Sequence, residues 1–121
     1  MSADPRHHLG RDGERLAAEH LERLGYEIVA RNHRTRYGEI DLIAVDADTL
    51  VFVEVKTRRG RGRPWDALDD RKQRQVRRMA IAYMAEVDER PKRRRVRFDA
   101  IGVSFDAGGR LASLEHLEGA F

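Results

Sequence analysis

An α/β fold with the element order αβββαβ and one further short strand is predicted by three features of the sequence. Apolar residues recur at helical spacing in residues 9–24 and again in residues 70–87. Residues 38–56, between these helices, are rich in β-branched side chains, which favour strands. Residues 96–117, after the second helix, contain two more strand-like stretches. Helices on both sides of a strand-rich centre are typical of an α/β domain.

The first helix is predicted from residue 9 to residue 24. Its apolar positions are Leu9, Leu16, Ala17, Leu21 and Leu24. Gly25 follows at the position where a helix commonly ends. An extended segment is predicted to begin in residues 26–30, and residues 1–8 are expected to be disordered.

The next two strands are predicted to form a hairpin. Residues 38–46 and residues 50–56 both have strand composition, and the second stretch is nearly all apolar apart from one acid and one base. The link between them, residues 47–49, has a length that suits a direct connection between antiparallel strands.

A flexible basic loop is predicted for residues 58–64, in which glycines and a proline separate arginines. The second helix then begins near Asp66 or Asp70, where an acid suits the helix dipole, and ends at Val87. A basic face on this helix is predicted from Arg71, Lys72, Arg74, Arg77 and Arg78. A second basic turn, residues 91–95, precedes the last two strands, 96–105 and 111–117.

The composition fits one soluble globular domain. A chain of 121 residues is long enough for one core but not for two, so residues 1–121 are expected to form a single domain. The absence of cysteine excludes disulfides and thiolate metal sites. No signal-peptide pattern and no apolar run of about 20 residues is present, so a cytoplasmic protein without membrane contact is expected.

Charge is distributed unevenly although the net charge is only +3. Residues 1–57 contain 8 Lys and Arg against 11 Asp and Glu, whereas residues 58–97 contain 15 against 6. This asymmetry predicts a basic surface for a polyanion beside an acidic pocket.

Glu54 and Lys56 are the residues that most directly indicate chemistry. Strand alternation places them on one face and directs Val51, Val53 and Val55 to the other. Burying a charge without a partner costs several kcal/mol, so the strand must end at a pocket or pair these charges tightly. The hairpin makes Asp41 the expected carboxylate neighbour.

A divalent metal would relieve the repulsion between two such carboxylates, which is roughly 4 kcal/mol at 4 Å and an effective dielectric of 20. Oxygen donors without Cys or His favour Mg²⁺ or Mn²⁺ over zinc. Such an ion would activate a water and stabilise a charged phosphate transition state, with Lys56 orienting the nucleophile or helping to deprotonate it.

The spacing Asp41, twelve residues, Glu54-Val-Lys56 resembles the D-x(n)-E-x-K core of the PD-(D/E)XK nucleases. Ile40 stands where the proline of the superfamily name would be. Five motifs resemble, more narrowly, the YraN-like family of bacterial proteins, which is similar to archaeal Holliday junction resolvases; they are Gly38-Glu-Ile-Asp-Leu-Ile-Ala44, Phe52-Val-Glu-Val-Lys-Thr-Arg58, Arg71-Lys-Gln73, Arg97-Phe-Asp99 and Ala120-Phe121.

The resemblance implies a restriction-endonuclease-like αβββαβ core, a central mixed sheet flanked by helices. It also implies a metal held by Asp41 and Glu54, Lys56 as the catalytic lysine, and Glu14 on the first helix completing the acidic cluster. Junction-cutting relatives act as dimers, so a homodimer is the assembly that the resemblance suggests. The expected substrate is nucleic acid, with DNA, including branched or junction DNA, favoured.

Structural alternatives stand beside these roles. Glu54 and Lys56 form a cross-strand ion pair in the alternative reading, and Glu14 suits the start of a helix for its dipole alone. Asp99 is expected to pair in the core with an arginine such as Arg31 or Arg34.

A nucleic-acid surface is predicted from six basic residues, which are Arg58, Arg59, Arg61, Arg63, Lys72 and Arg74. A linker and a solvated helix face are the alternative explanations for them.

The sequence therefore predicts a Mg²⁺- or Mn²⁺-dependent endonuclease that grips the nucleic-acid backbone without reading bases. The rival prediction is a non-catalytic nucleic-acid-binding module with a vestigial nuclease site. A protein interaction domain in DNA uptake or repair is the third class.

Overall fold

The computed structural model describes residues 5–60, 68–87 and 95–121, with side chains from residue 11 onward. In chain order the elements are α1 (Pro5–Arg23), β1 (Glu27–Thr35), β2 (Gly38–Val45), β3 (Thr49–Arg59), α2 (Asp70–Glu86), β4 (Arg95–Phe105) and β5 (Leu111–Leu117).

The five strands form one mixed sheet in the order β1-β2-β3-β4-β5. Neighbouring strands are antiparallel except β3 and β4, which are parallel and are connected through α2. A parallel pair requires such a crossover, because its strands enter from the same end of the sheet. The predicted fold class, α/β with a restriction-endonuclease-like αβββαβ core, is confirmed, as is the hairpin of β2 and β3.

One helix covers each face of the sheet. On one face α1 contributes Ala17, Ala18 and Leu21 to a buried cluster that includes Val51, Val53 and Val55. On the other face α2 contributes Val76, Met79 and Ala80 to a cluster that includes Leu50 and Phe52. Residues of β3 therefore alternate between the two clusters, as period-2 alternation dictates, and Glu54 and Lys56 belong to the face of α2.

The helix α1 ends close to the predicted position but begins earlier than predicted. The helix begins at Pro5, four residues before the predicted start, and proline suits the first turn because its missing N–H has no partner there. Gly25 ends the helix with a φ of 98°, as predicted. Residues 1–4 lie outside the described part of the chain, so the predicted disorder remains a prediction for them. No described helix is long and apolar enough to cross a membrane.

The strand β3 is longer than predicted, and this corrects the start of the basic loop. Arg58 and Arg59 are strand residues paired with Ser104 and Phe105 of β4. The loop assignment was wrong for these two arginines because β4 supplies backbone partners as far as Phe105, and local composition does not reveal that partner strand. Residues 61–67 lie outside the described residues.

Close packing of α1 on β3 depends on Gly13. A Cβ at Gly13 would lie 2.1 Å from Oγ1 and 3.2 Å from Cβ of Thr57. Only glycine permits this separation of helix and strand. The contact brings the neighbouring helix residue, Glu14, to the end of β3 that follows Glu54 and Lys56.

Candidate active site

The site forms where the pairing of β2 with β3 is interrupted. The ladder runs to the pair Leu42 and Val53, and one position further Oδ2 of Asp41 accepts a hydrogen bond of 2.8 Å from Val55 N. Ile40 and Leu42 pack in opposite core clusters, although regular alternation would place them on one face. The carboxylate of Asp41 thus replaces a backbone acceptor at this irregular position.

Glu54 is the centre of the charge cluster. It is 3% exposed, and its Oε1 lies 3.2 Å from Nζ of Lys56 and 3.2 Å from Nζ of Lys72. The parallel partners of Glu54 and Lys56 in β4 are Ala100 and Gly102, whose small side chains leave room on this face of the sheet. The buried carboxylate therefore has the cationic partners that burial requires.

The start of α2 positions Lys72, and its contact with Glu54 argues against the alternative of a solvated helix face. Asp69 is the N-cap and accepts a 2.9 Å hydrogen bond from Lys72 N. Gln73 Nε2 donates to Leu68 O at 3.2 Å, which fixes the same turn. The Lys72 side chain is only 26% exposed and is directed to Glu54. A contact with phosphate stays a prediction, but the resting partner of Lys72 is a carboxylate.

The ionisation of Asp41 is perturbed by its surroundings. Burial raises its pKa to about 8, with Glu54 as the second cause and Glu14 as a weaker one, while the hydrogen bond from Val55 N and the charge of Lys56 lower it. Two carboxylates that share a site cannot both ionise easily. Glu14 of α1 thus acts electrostatically on Asp41, while its role in an acidic metal cluster stays a prediction.

The donor set fits a hard divalent cation held by few protein ligands. Within the described side chains, no group of three His, Cys, Asp or Glu is arranged to hold a metal ion. Asp41 and Glu54 supply two carboxylates, and Mg²⁺ commonly uses one or two carboxylates with waters and substrate phosphates. A cation here would compete with Lys56 and Lys72 for Glu54.

We expect Asp41→Asn to stabilise the metal-free protein increasingly as pH rises from 4 to 8. A carboxyl whose folded pKa is raised contributes stability that is fully present below its unfolded pKa and is lost as pH rises through about 8. The advantage of asparagine should therefore grow by at most about 1.4 kcal/mol per pH unit and stay constant above pH 8. Chemical denaturation in EDTA measures it.

The control for this experiment is Glu39→Gln, which removes a 43% exposed carboxylate from the same strand. This variant shows how much of the change in stability comes from the loss of one negative charge alone. A stability difference between wild type and Asp41→Asn that stays constant from pH 4 to 9 would contradict the expectation.

Of the predicted nucleic-acid residues that the structure describes, Lys72 and Arg74 line one cleft, whereas Arg58 and Arg59 are not among its lining residues. Arg58 is half-buried, whereas Arg59 is exposed and donates from its guanidinium to Ala107 O at 3.3 Å. Arg74 lies beside Lys72 in a cleft of about 630 Å³. Arg61 and Arg63 lie outside the described residues, so their role stays a prediction.

A buried polar network around Asp99 is the feature that the sequence patterns missed. Asp99 is fully buried and accepts from Arg97 Nε at 2.8 Å and from Gly119 N at 3.0 Å. His116 Nε2 lies 2.7 Å from Asp99, and His116 Nδ1 lies 3.0 Å from His20 Nε2. Burial would raise the pKa of Asp99, but the bonds from His116 and Arg97 outweigh it and lower that pKa.

The structural role expected for Asp99 agrees with this geometry, but its arginine partner is neither of the two predicted. Arg97 replaces Arg31 and Arg34 because residues two apart in a strand share a face. Arg31 and Arg34 instead lie near Glu22 and Glu39. The motif Arg97-Phe-Asp99 was a signal that could have identified the pair, whereas nothing local marks His20 and His116.

Fold and site together define a restriction-endonuclease-like α/β protein with a partly buried cluster of carboxylates and lysines. Comparison with known proteins then gives its family. The chain belongs to the Uncharacterised protein family UPF0102, whose model matches residues 13–103. This confirms the resemblance to the YraN-like family.

Relatives are similar along most of their length. A UPF0102 protein of Nocardia farcinica is 48% identical over 115 residues, which cover 93% of this chain and 88% of the relative. A UPF0102 protein of Pelotomaculum thermopropionicum is 45% identical over 121 residues, which cover 98% and 99%. A third, from Symbiobacterium thermophilum, is 50% identical over 105 residues, covering 85% and 87%.

Proposed function

We propose that this protein is a Mg²⁺- or Mn²⁺-dependent nuclease that hydrolyses phosphodiester bonds of nucleic acid, with DNA, including branched DNA, as the expected substrate. One observation carries the proposal. Asp41 accepts a hydrogen bond from Val55 N, the residue after Glu54, where the strand pairing is interrupted, and two lysine ammonium groups each lie 3.2 Å from the buried Glu54 carboxylate.

The carboxylates would hold the ion, with Asp41 and Glu54 as ligands and Glu14 adding negative charge. When bound, a divalent ion supplies Lewis-acid stabilisation of the phosphate and lowers the pKa of a water. The two lysines would act on the attacking water and on the phosphate. Once released from Glu54, Lys56 can orient the attacking water, and Lys72 can neutralise charge that develops on a phosphate oxygen.

The rival is a non-catalytic nucleic-acid-binding module with a vestigial site. The same lysines favour it in one respect, because they already neutralise Glu54 without a metal ion. In that case the cluster would be a structural ion pair, and the basic residues alone would bind nucleic acid.

A cleavage panel tests the proposal. Junction, flap, single-stranded and duplex substrates are incubated with the protein and with Mg²⁺, Mn²⁺ or EDTA. We expect cleavage of at least one substrate with a divalent ion and none with EDTA. The same ions should raise the melting temperature of the wild type, because only the folded state presents converged carboxylates.

Asp41→Asn is the discriminating variant for the melting measurement, with Glu39→Gln as its control. Loss of the metal-induced shift in Asp41→Asn alone supports a metal at this site. Equal shifts in all three proteins, together with no cleavage of any substrate, would favour the rival.

A further inference from the structure

We propose that the cleft beside the active site binds a single-stranded segment of nucleic acid, with Tyr37 as the stacking platform for an unpaired base. The inference rests on the proposed function for its ligand class and specifies which form of nucleic acid the site accepts. Its central residue, Tyr37, lies in the turn between β1 and β2 and was not among the predicted nucleic-acid residues.

Charge in the cleft suits a polyanion. Seven residues line it, which are Tyr37, Asp69, Arg71, Lys72, Arg74, Gln75 and Arg78. Four of them are cationic and one is acidic. The acid, Asp69, accepts the hydrogen bond from Lys72 N at the helix start, so its charge is partly satisfied by the helix end. The cleft therefore attracts phosphate groups.

The cleft also leads to the active site. Lys72 lines it and reaches Glu54 Oε1 at 3.2 Å. A chain whose phosphates follow the arginines of α2 would arrive at the carboxylate cluster. The cleft volume of about 630 Å³ lies within the range of small-molecule sites, which is roughly 300–1,000 Å³. It suits one or two nucleotides of a single strand.

The backbone of Tyr37 is anchored by hydrogen bonds, while its ring is partly exposed. The residue is 37% exposed, and Arg36 lies over its ring at 4.9 Å from the centroid. Its backbone N–H donates to Thr35 Oγ1 at 3.1 Å, and its carbonyl accepts from Gln75 Nε2 at 2.8 Å. An exposed ring fixed beside cations is the arrangement that single-strand binding proteins use, because stacking does not depend on sequence.

Gly38 adds to the rigidity of this turn. Its φ is 135°, and its carbonyl accepts from Thr35 Oγ1 at 2.9 Å. A Cβ there would lie 2.8 Å from Gln75 Nε2 and 3.2 Å from Met79 Sδ. The positive φ favours glycine here, and the turn packs against Gln75 and Met79 of α2, which keeps Tyr37 at the wall of the cleft.

Binding measured without catalysis tests the inference. Fluorescence anisotropy in EDTA compares a 16-nucleotide oligothymidine with a duplex of equal length. We expect Tyr37→Ala to weaken binding of the single strand by roughly 5- to 100-fold and to leave duplex binding within about twofold. Tyr37→Phe should retain the affinity, because it keeps the ring. An oligonucleotide containing 2-aminopurine should show quenching that Tyr37→Ala removes.

Ile81→Ala is the matched control, since Ile81 is a 65% exposed apolar residue of α2 that does not line the cleft. Unchanged binding in Tyr37→Ala, or equal losses for single strand and duplex, would overturn the inference. If the protein cleaves no substrate but its single-strand binding depends on Tyr37, the proposed nuclease activity is wrong and the proposed binding site is supported. Cleavage that persists while Tyr37→Ala binds normally would refute the inference alone.

Discussion

Cleavage should fall at least about 10³-fold in Glu54→Gln and about 10²- to 10⁴-fold in Lys56→Met. Glu54 is both a proposed metal ligand and the shared partner of the two lysines, so its neutral isostere removes the ion site and the order of both ammonium groups. In the proposed function Lys56 orients the attacking water, so its loss should slow the chemical step. Single-turnover rates with saturating enzyme measure the chemical step separately from binding.

Nucleic-acid binding is the internal control for this prediction. In EDTA, Glu54→Gln should bind at least as tightly as wild type, because it loses a negative charge beside the basic cleft. Glu39→Gln, an exposed change on β2, should keep full activity. Wild-type cleavage by a correctly folded Glu54→Gln protein would exclude this cluster as the active site.

Lys72→Met separates two roles for the second lysine. A loss confined to binding would assign Lys72 to the phosphate grip, whereas an equal loss in the single-turnover rate would assign it to the chemical step. The binding and the rate of Lys72→Met are compared with those of Lys56→Met, because both ammonium groups lie 3.2 Å from the same carboxylate oxygen.

The second large effect is on stability, and Asp99→Ala should lower the free energy of unfolding by about 3–5 kcal/mol. Asp99 is fully buried and accepts hydrogen bonds from Arg97, His116 and Gly119. Alanine would leave these donors without their acceptor, including a guanidinium that is only 25% exposed. Urea denaturation at pH 7 measures the change.

Glu118→Ala is the matched control because Glu118 also approaches Arg97, at 3.8 Å, but is 59% exposed. It should cost less than about 1 kcal/mol. The loss of unfolding free energy in Asp99→Asn should lie between the losses in Asp99→Ala and Glu118→Ala. The lowered pKa of Asp99 means that its carboxylate contributes stability above about pH 4 and loses it as pH falls through the folded pKa, so wild type and Asp99→Asn should converge in acid. A cost below 1 kcal/mol for Asp99→Ala would contradict the network's role.

Local patterns predicted the elements that rest on repeating contacts. The period of two in residues 50–56 placed Glu54 and Lys56 on one face, and the valines at the alternate positions, Val51, Val53 and Val55, do pack under α1. Helical spacing identified both helices, with ends within one residue except at Pro5. These agreements follow because burial of one face imposes its period on the sequence.

Contacts between distant residues were not predictable in the same way. His20 and His116 are 96 positions apart, and no spacing rule connects them. Lys72 has the same local pattern as its exposed helix neighbours, yet the N-cap at Asp69 and the position of α2 direct it to Glu54.

By itself, the sequence determined that this chain is an α/β protein with Asp41, Glu54 and Lys56 as its chemical candidates, because period and composition are properties of each segment. Only the tertiary structure decided that the ladder is interrupted at Asp41, that Lys72 joins Glu54, and that Tyr37 lines a basic cleft. Register and helix placement are set by packing over the whole sheet, and a polar side chain acquires its partner only when that packing is complete.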